Sequence, residues 1–130
     1  MYSETTRSIR VSVEPFYHDE QSKPAEHRWV FGYRVTIANE GSDTVQLLRR
    51  YWRIIDGHGT IREVRGDGVV GEQPRLGPGE QFQYVSGAPL PTPTGIMVGS
   101  YGMVDERGHS FEVGIPAFSL DAPDGPRAVN

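Results

Sequence analysis

The segment that decides the fold reads Trp29-Val30-Phe31-Gly32-Tyr33-Arg34-Val35-Thr36-Ile37-Ala38. Large apolar side chains occupy every second position of this segment, and small or polar residues occupy most of the positions between them. A repeat of two is the period of a β-strand, in which successive side chains point to opposite faces. The segment therefore predicts a strand with one face in the core.

The same alternation extends outward in both directions along the chain. It recurs at Ile9–Val13, Met97–Met103 and Phe111–Ile115, and each of these segments is bounded by turn-forming residues. A longer strand is predicted at Thr44–Asp56. Its apolar side chains change parity near Leu47-Leu48, which indicates a β-bulge at that point.

Sixteen glycines and ten prolines interrupt the chain often enough to exclude a helical protein. Asp56–Gly59 is typical of a tight hairpin turn. Pro89–Pro93 is incompatible with a central strand, and Pro116 is predicted to lie in an edge strand. Seven or eight short strands without a helical period predict an all-β, immunoglobulin-like β-sandwich of two antiparallel sheets, with a small barrel as the second alternative.

A chain of 130 residues is predicted to form one domain, with an ordered core from about residue 7 to residue 121. Residues 122–130 are expected to be loosely held. The absence of cysteine excludes disulfides and thiolate metal sites. No signal peptide or membrane-spanning segment is apparent, so we expect a cytoplasmic protein.

The net charge of −4 is distributed unevenly. Residues 49–75 carry six arginines against four acidic residues, whereas the segments on either side are acidic. Arginine favours two-point contacts with carboxylates or phosphates, although ordinary surface ion pairs would also account for these residues. The pI of about 5.5 argues against a nucleic-acid-binding surface.

The basic segment contains Gly66-Asp67-Gly68-Val69-Val70-Gly71, which matches the G-x-G-x-x-G pattern of dinucleotide-binding domains. Pro74 prevents the helix that such a domain needs after its glycines, and the segment has no P-loop lysine. We favour a structural connection between strands. The alternative is an anion site built from the loop amides and two flanking arginines. The candidate anion- or phosphate-binding residues are Arg65, Gly66, Asp67, Gly68, Val69, Val70, Gly71 and Arg75.

No catalytic residue is predicted. The four histidines, His18, His27, His58 and His109, are not at metal-ligand spacing from one another, so neither a metal site nor a cofactor is expected. Ser86 lies outside any nucleophile-elbow motif. The alternating aromatic residues are predicted to pack in the core: Trp29, Tyr33, Trp52, Tyr84 and Tyr101.

Several blocks of the sequence resemble the ApaG family, and the resemblance runs from about Ile9 to Asn130. The blocks are Arg50-Tyr51-Trp52-Arg53-Ile54-Ile55-Asp56, Gly66–Pro74, Leu76-Gly77-Pro78-Gly79-Glu80, Tyr84-Val85-Ser86-Gly87, Thr94-Gly95-Ile96-Met97, Tyr101 and Ile115-Pro116-Ala117-Phe118-Ser119-Leu120. One position departs from the family pattern, because Tyr51 stands where a histidine is expected.

The resemblance implies a bacterial protein of fibronectin type III-like fold without an established enzymatic reaction. It also implies an association with cobalt resistance and magnesium efflux, and a genetic link to a diadenosine tetraphosphate hydrolase. We therefore expect a non-enzymatic domain that binds another protein. The alternative is a phosphate- or nucleotide-binding protein that uses Gly66–Gly71, is related to diadenosine polyphosphates and has weak hydrolase activity.

Overall fold

A computed structural model describes residues 1–123 of the chain. Nine strands and one short 3-10 helix, at Pro24–Glu26, account for the regular structure of these residues. The strands are β1 (Tyr2–Thr6), β2 (Ile9–Tyr17), β3 (Trp29–Asn39), β4 (Val45–Asp56), β5 (Ile61–Asp67), β6 (Arg75–Leu76), β7 (Gln81–Leu90), β8 (Thr94–Asp105) and β9 (Ser110–Asp121).

The strands form two antiparallel sheets that pack face to face. One sheet has the order β1-β2-β3-β7, and the other has the order β5-β4-β8-β9, with the short β6 paired to β4. This arrangement confirms the predicted sandwich fold. Alternate residues of both sheets point inward. The aromatic part of the core lies where Tyr33, Trp52 and Phe118 meet, with ring centroids 5.3–5.9 Å apart.

Four of the five aromatic residues predicted to lie in the core are buried, and Trp29 is half-buried against the core. The predicted bulge in β4 is also confirmed, because Leu48 is the extra residue between the pairs Leu47–Met103 and Arg49–Gly102. After this bulge, Arg50 shares the inward parity of Trp52.

The prolines follow the predicted pattern. Pro116 lies in β9, which is an edge strand, beside a register shift in the pairing of β8 with β9. The segment Pro89–Pro93 is divided between two structures. Pro89 lies opposite Val30 in the edge strand β7, which ends at Leu90, and the chain then bends before β8.

Ordered structure extends beyond the predicted limits of residues 7 and 121. The strand β1 at Tyr2–Thr6 was not predicted because its side chains are polar and mostly exposed, and pairing with β2 is what places it in the sheet. Ala122 is only 6% exposed, and its amide donates to the carbonyl of Pro93. The rest of the tail predicted to be loosely held, from residue 124 onward, lies outside the described residues.

The two open sides of the sandwich differ. On one side β1 packs against β9: the Tyr2 hydroxyl lies 3.1 Å from Ser119 Oγ, and Thr6 Oγ1 accepts from the Gly114 amide. On the other side β5 and β7 end their sheets, and a cleft separates them. The candidate site lies in this cleft.

Candidate functional site

The cleft between β5 and β7 has a volume of about 350 Å³, enough for a side chain or a small organic group. Ten of its fifteen lining residues are apolar or aromatic, and they are joined by two arginines and no acidic residue. Its lining residues come from both sheets and from the loop after β5: Tyr33, Arg50, Trp52, Ile54, Arg62, Val64, Val69, Val70, Gly71, Tyr84, Ser86, Gly87, Ala88, Pro89 and Met97.

Hydrogen-bonded tyrosines form the polar part of the wall. Tyr33 and Tyr84 line the cleft, and the hydroxyl of Tyr84 shares a hydrogen bond with that of the fully buried Tyr101. Burial raises the pKa of all three tyrosines above the ordinary value of about 10. These hydroxyls therefore stay neutral at physiological pH and can act as hydrogen-bond donors or acceptors.

Arg50 brings a positive charge into the cleft. Its Nη1 donates to the carbonyl oxygens of Asp67 and Gly68, at 2.9 and 3.0 Å, which fixes the guanidinium against the loop after β5. No acidic side chain among residues 1–123 forms an ion pair with Arg50. Burial raises the pKa of Tyr33 and Tyr84, and the charge of Arg50 partly opposes that effect.

The three glycines of the G-x-G-x-x-G segment have different structural roles. A Cβ added to Gly66 would lie 2.7 Å from Nη2 of Arg50, so this position leaves room for the guanidinium. Gly68 has φ +64°, and a Cβ there would lie 2.3 Å from the carbonyl oxygen of Glu72. Gly71 has φ +80° in the turn that follows. Each glycine thus has a structural reason to be present.

Val70 and Gly71 form the tip of this loop and one rim of the cleft. Val69 and Glu72 exchange two backbone hydrogen bonds of 2.8 Å around them, as in a two-residue hairpin. Both central residues have positive φ, +43° at Val70, which is the geometry of a type I′ turn. A β-branched residue is unfavourable in this conformation. Val70 is nevertheless 55% exposed, so the strained residue presents an apolar side chain at the mouth of the cleft.

The residues of the candidate anion site do not converge on one point. The Gly68 amide donates to the carbonyl of Leu48, and the Val69 amide donates to that of Glu72, so neither faces an open concavity. Gly66 and Asp67 are paired with β4 as part of β5. These contacts support the structural interpretation of the loop. Anion binding by the loop remains a prediction.

The two arginines assigned to that site lie apart. The Arg65 guanidinium is 4.7 Å from the ring centroid of Tyr51 and 3.6 Å from Glu63, on the outer face of the sheet. Arg75 lies opposite Gln46 and donates to its side chain. Their partners on β4 are five residues apart, or roughly 16 Å along an extended strand.

A second, shallower depression of about 580 Å³ lies on that outer face, around Arg49, Tyr51 and Arg65. The hydroxyl of Tyr51 donates to Glu63, which raises the pKa of Tyr51 and lowers that of the Glu63 carboxyl. Glu112, Asp67 and Arg50 also line the depression, so Arg50 borders both cavities. Its charges are mixed, whereas the cleft between the sheets carries positive charge alone.

Groups suited to acid–base or metal chemistry are absent from the cleft. No histidine or carboxylate lines it, so Ser86 and the tyrosines have no base beside them. Over residues 1–123, no three His, Cys, Asp or Glu side chains are grouped closely enough to hold a metal ion. The same residues include no helix long and apolar enough to cross a membrane.

Sequence reasoning assigned Arg65 and Arg75 to a site and missed Arg50, which lines the cleft together with Arg62. The sequence did contain an indication that Arg50 points inward. Once the parity change at Leu47-Leu48 is accepted, Arg50 falls on the same strand face as Trp52 and Ile54. An arginine on an apolar strand face calls for a polar partner in the interior.

Comparison with known proteins shows relatives that match this chain in sequence and in fold. Residues 19–105 match the model of the ApaG domain family. The chain is 63% identical to Protein ApaG of Rhodospirillum centenum and 61% identical to Protein ApaG of Paramagnetospirillum magneticum, in both cases over the full length of both chains. The crystal structure of an ApaA protein from Bordetella pertussis superposes with a TM-score of 0.85 at 50% identity, covering 93% of this chain and 95% of the other.

Proposed function

The chain belongs to the ApaG family, and from that premise we propose that it is a non-enzymatic binding domain that takes up an extended segment of a partner protein at the free edge of β7. The observation that carries the proposal is the open side of the sandwich, where an unprotected strand edge lies beside an apolar cleft. Pairing of a partner strand with such an edge is a common mode of peptide recognition.

The composition of the two free edges favours β7 over β5. Exposed edge strands are usually protected against pairing by charged side chains. Four of the seven residues of β5 are charged, Arg62, Glu63, Arg65 and Asp67, whereas none of the ten residues of β7 is. Val85, at the middle of β7, is 48% exposed. The edge of β7 before Pro89, from Gln81 to Ala88, is thus long, uncharged and available.

The cleft beneath β7 adds a pocket to this edge. Alternate side chains of a strand added beside β7 would point inward, over the space that β5 leaves open. That space is lined by Trp52, Met97 and the rim residue Val70. Backbone pairing would supply affinity, and an inserted side chain would supply selectivity.

The proposed biological setting is the cobalt resistance and magnesium efflux implied by the family resemblance. A positively charged cleft without carboxylates is a poor site for a divalent cation. We therefore propose that the protein acts in cation homeostasis through its protein partner in the cytoplasm, and that the metal ion itself is not its ligand.

A pair of matched substitutions tests this function. Val85→Lys adds a charge to the free edge of β7, and Ile96→Lys adds the same charge at a residue of similar exposure, 46%, in the other sheet. Wild type and both variants would be used to capture partners from native lysate. A photo-crosslinking amino acid at position 85 or 96 would then map the contact.

We expect a partner that crosslinks at position 85, is lost with Val85→Lys and is retained with Ile96→Lys. Equal capture by all three proteins, or crosslinks at position 96 alone, would contradict the proposal. Crosslinks between two copies of this chain at position 85, with a dimer in analytical ultracentrifugation, would identify a second copy as the occupant instead.

A further inference from the structure

The cleft combines a fixed cation with an apolar pocket, and the partner of that cation is missing. Arg50 is half-buried, and its contacts with Asp67 and Gly68 engage only one of the guanidinium nitrogens. Arginine has five N–H donors, so several remain for a ligand. A half-buried cation that pairs with no carboxylate among residues 1–123 is suited to recognise an anion from outside.

The surroundings of Arg50 specify the kind of anion. The pocket beside it is lined by Trp52, Met97 and Ala88, which favour an apolar or planar group next to the charge. The tyrosine hydroxyls and Ser86 are neutral, so they can bond to an anionic oxygen. Arg62 contributes a second positive charge at the rim, and no carboxylate lines the cleft to compete.

Gly66 gives the site its geometry. Because a Cβ at this position would lie 2.7–2.8 Å from three guanidinium atoms, only glycine lets Arg50 rest against the backbone of β5. The carbonyls of Asp67 and Gly68 then hold Nη1 in place. An arginine fixed in this way loses less conformational entropy on binding than a free surface arginine would.

We propose that the cleft binds an acidic side chain, with its flanking apolar atoms, from the extended partner segment, and that Arg50 is the carboxylate-binding residue. The inference rests on the proposed function, because the segment that pairs with β7 brings the acidic side chain to the cleft. The inference thus specifies that the partner segment carries a negative charge. Mixed charges on the outer face make the depression near Arg65 a weaker candidate.

Benzoate is a suitable probe, since it joins a carboxylate to a planar apolar group. Its neutral isostere benzamide and inorganic phosphate separate the contributions of charge, carboxylate and apolar body. Binding would be followed by NMR through the side-chain N–H groups of Arg50 and Trp52. We expect saturable shifts at both groups with benzoate, and at least about tenfold weaker binding of benzamide, because the charge-assisted bonds are lost.

Substitutions assign the effect to Arg50. Arg50→Lys keeps the charge but removes the planar fork, and should weaken benzoate binding by about tenfold. Arg49→Lys is the matched control, because Arg49 is its neighbour in sequence but lies beside Gly102 and lines the outer depression. If Arg50→Lys fails to fold, Arg62→Gln provides the test, with weaker binding expected from the loss of a rim charge.

Equal binding of benzoate and benzamide, or shifts confined to Tyr51 and Arg65, would overturn the inference. Phosphate that displaces benzoate at a lower concentration would also overturn it, in favour of a phosphate ligand. The outcomes separate the two proposals. If benzoate binds but partner capture does not depend on Val85, the anion pocket is supported and strand addition at β7 is contradicted. If capture depends on Val85 but benzoate does not bind, strand addition is supported and the anion pocket is contradicted.

Discussion

The guanidinium of Arg50 occupies the space that a side chain at Gly66 would need, since a Cβ there would lie 2.7 Å from Nη2 and 2.8 Å from Cζ. This contact joins the glycine-rich segment to the cleft between the sheets. It also shows that two glycines of the same motif, Gly66 and Gly68, are needed for different reasons. Gly66 meets the end of a flexible side chain, whereas Gly68 meets backbone.

Gly66→Ala should therefore cost less stability than Gly68→Ala. Arg50 can move away from a new methyl group, so Gly66→Ala should lower the free energy of unfolding by less than about 1 kcal/mol. Gly68→Ala should cost about 1–2 kcal/mol for the left-handed conformation alone, and its contact with the Glu72 carbonyl adds to that cost. Urea unfolding of both variants measures the difference, and the reverse order would contradict this account.

Val70→Asn should stabilise the protein. Residue 70 is the first central residue of a type I′ turn at φ +43°, where asparagine is favoured and a β-branched residue is strained. We expect a gain of about 0.5–1 kcal/mol in the free energy of unfolding. The control is Val85→Asn, also at an exposed valine but in an extended strand, which should be neutral or destabilising. A loss of stability in Val70→Asn would show that the turn is not strained.

The buried hydroxyl pair of Tyr84 and Tyr101 should behave as a coupled unit. Tyr84→Phe or Tyr101→Phe alone leaves one buried hydroxyl without its partner, at a cost of about 1–3 kcal/mol. The double variant removes both polar groups and should cost less than the sum of the single variants. Chemical denaturation of the four proteins gives the coupling energy, and strict additivity would mean that the hydrogen bond contributes nothing.

The contribution of Asp105 to the stability of the fold should be lost at acid pH. The backbone N–H groups of His109 and Arg107 donate to its carboxylate and lower its pKa. Because the folded-state pKa lies below the unfolded value of about 3.9, the stabilisation is present above that value and is lost as the pH falls through the folded pKa. Thermal unfolding between neutral pH and pH about 3 should show a smaller loss for Asp105→Asn than for wild type. Identical pH profiles would exclude this role.

Cobalt and magnesium should bind weakly or not at all. Among residues 1–123 no histidine belongs to a group of three possible ligands: His18 packs against Phe16, His27 lies near Trp29, His58 is in a hairpin turn, and His109 faces Asp105. Isothermal titration at modest metal concentration is the measurement, with His18→Ala as the control. Stoichiometric micromolar cobalt binding that disappears in this variant would refute the prediction.

The elements that sequence reasoning located are those whose apolar residues repeat with a period of two. Trp29–Ile37 packs one face against the other sheet, where Tyr33 meets Trp52, and the β4 bulge follows from a parity change that the residues themselves display. The strand β1 has no such pattern, because almost all of its side chains are exposed and pairing with β2 is what places it in the sheet. Its existence depends on tertiary structure.

The candidate site was harder to locate for a related reason. Arg65 and Gly66–Gly71 drew attention because they are contiguous in the sequence, whereas the cleft is built from β3, β4, β5 and β7 together with the loop tip. Arg50 and Tyr84 are far apart in the chain and face one cavity only after both sheets have formed. The spacing of residues along a chain can identify a local motif, but it cannot identify a cavity that forms between two sheets.

The packing of β1 against β9 also determines how the order of the strands in the chain can be changed by circular permutation. Because the Tyr2 hydroxyl lies 3.1 Å from Ser119 Oγ, the beginning and the end of the sandwich are neighbours on the side away from the cleft. A short linker that joins Tyr2 directly to Ala122, with new ends opened in the exposed turn at Gly57–Gly59, should give a circular permutant that keeps both sheets. Attachment to a surface through β1 or β9 would leave the β7 edge facing outward, because these strands lie on the side away from the cleft.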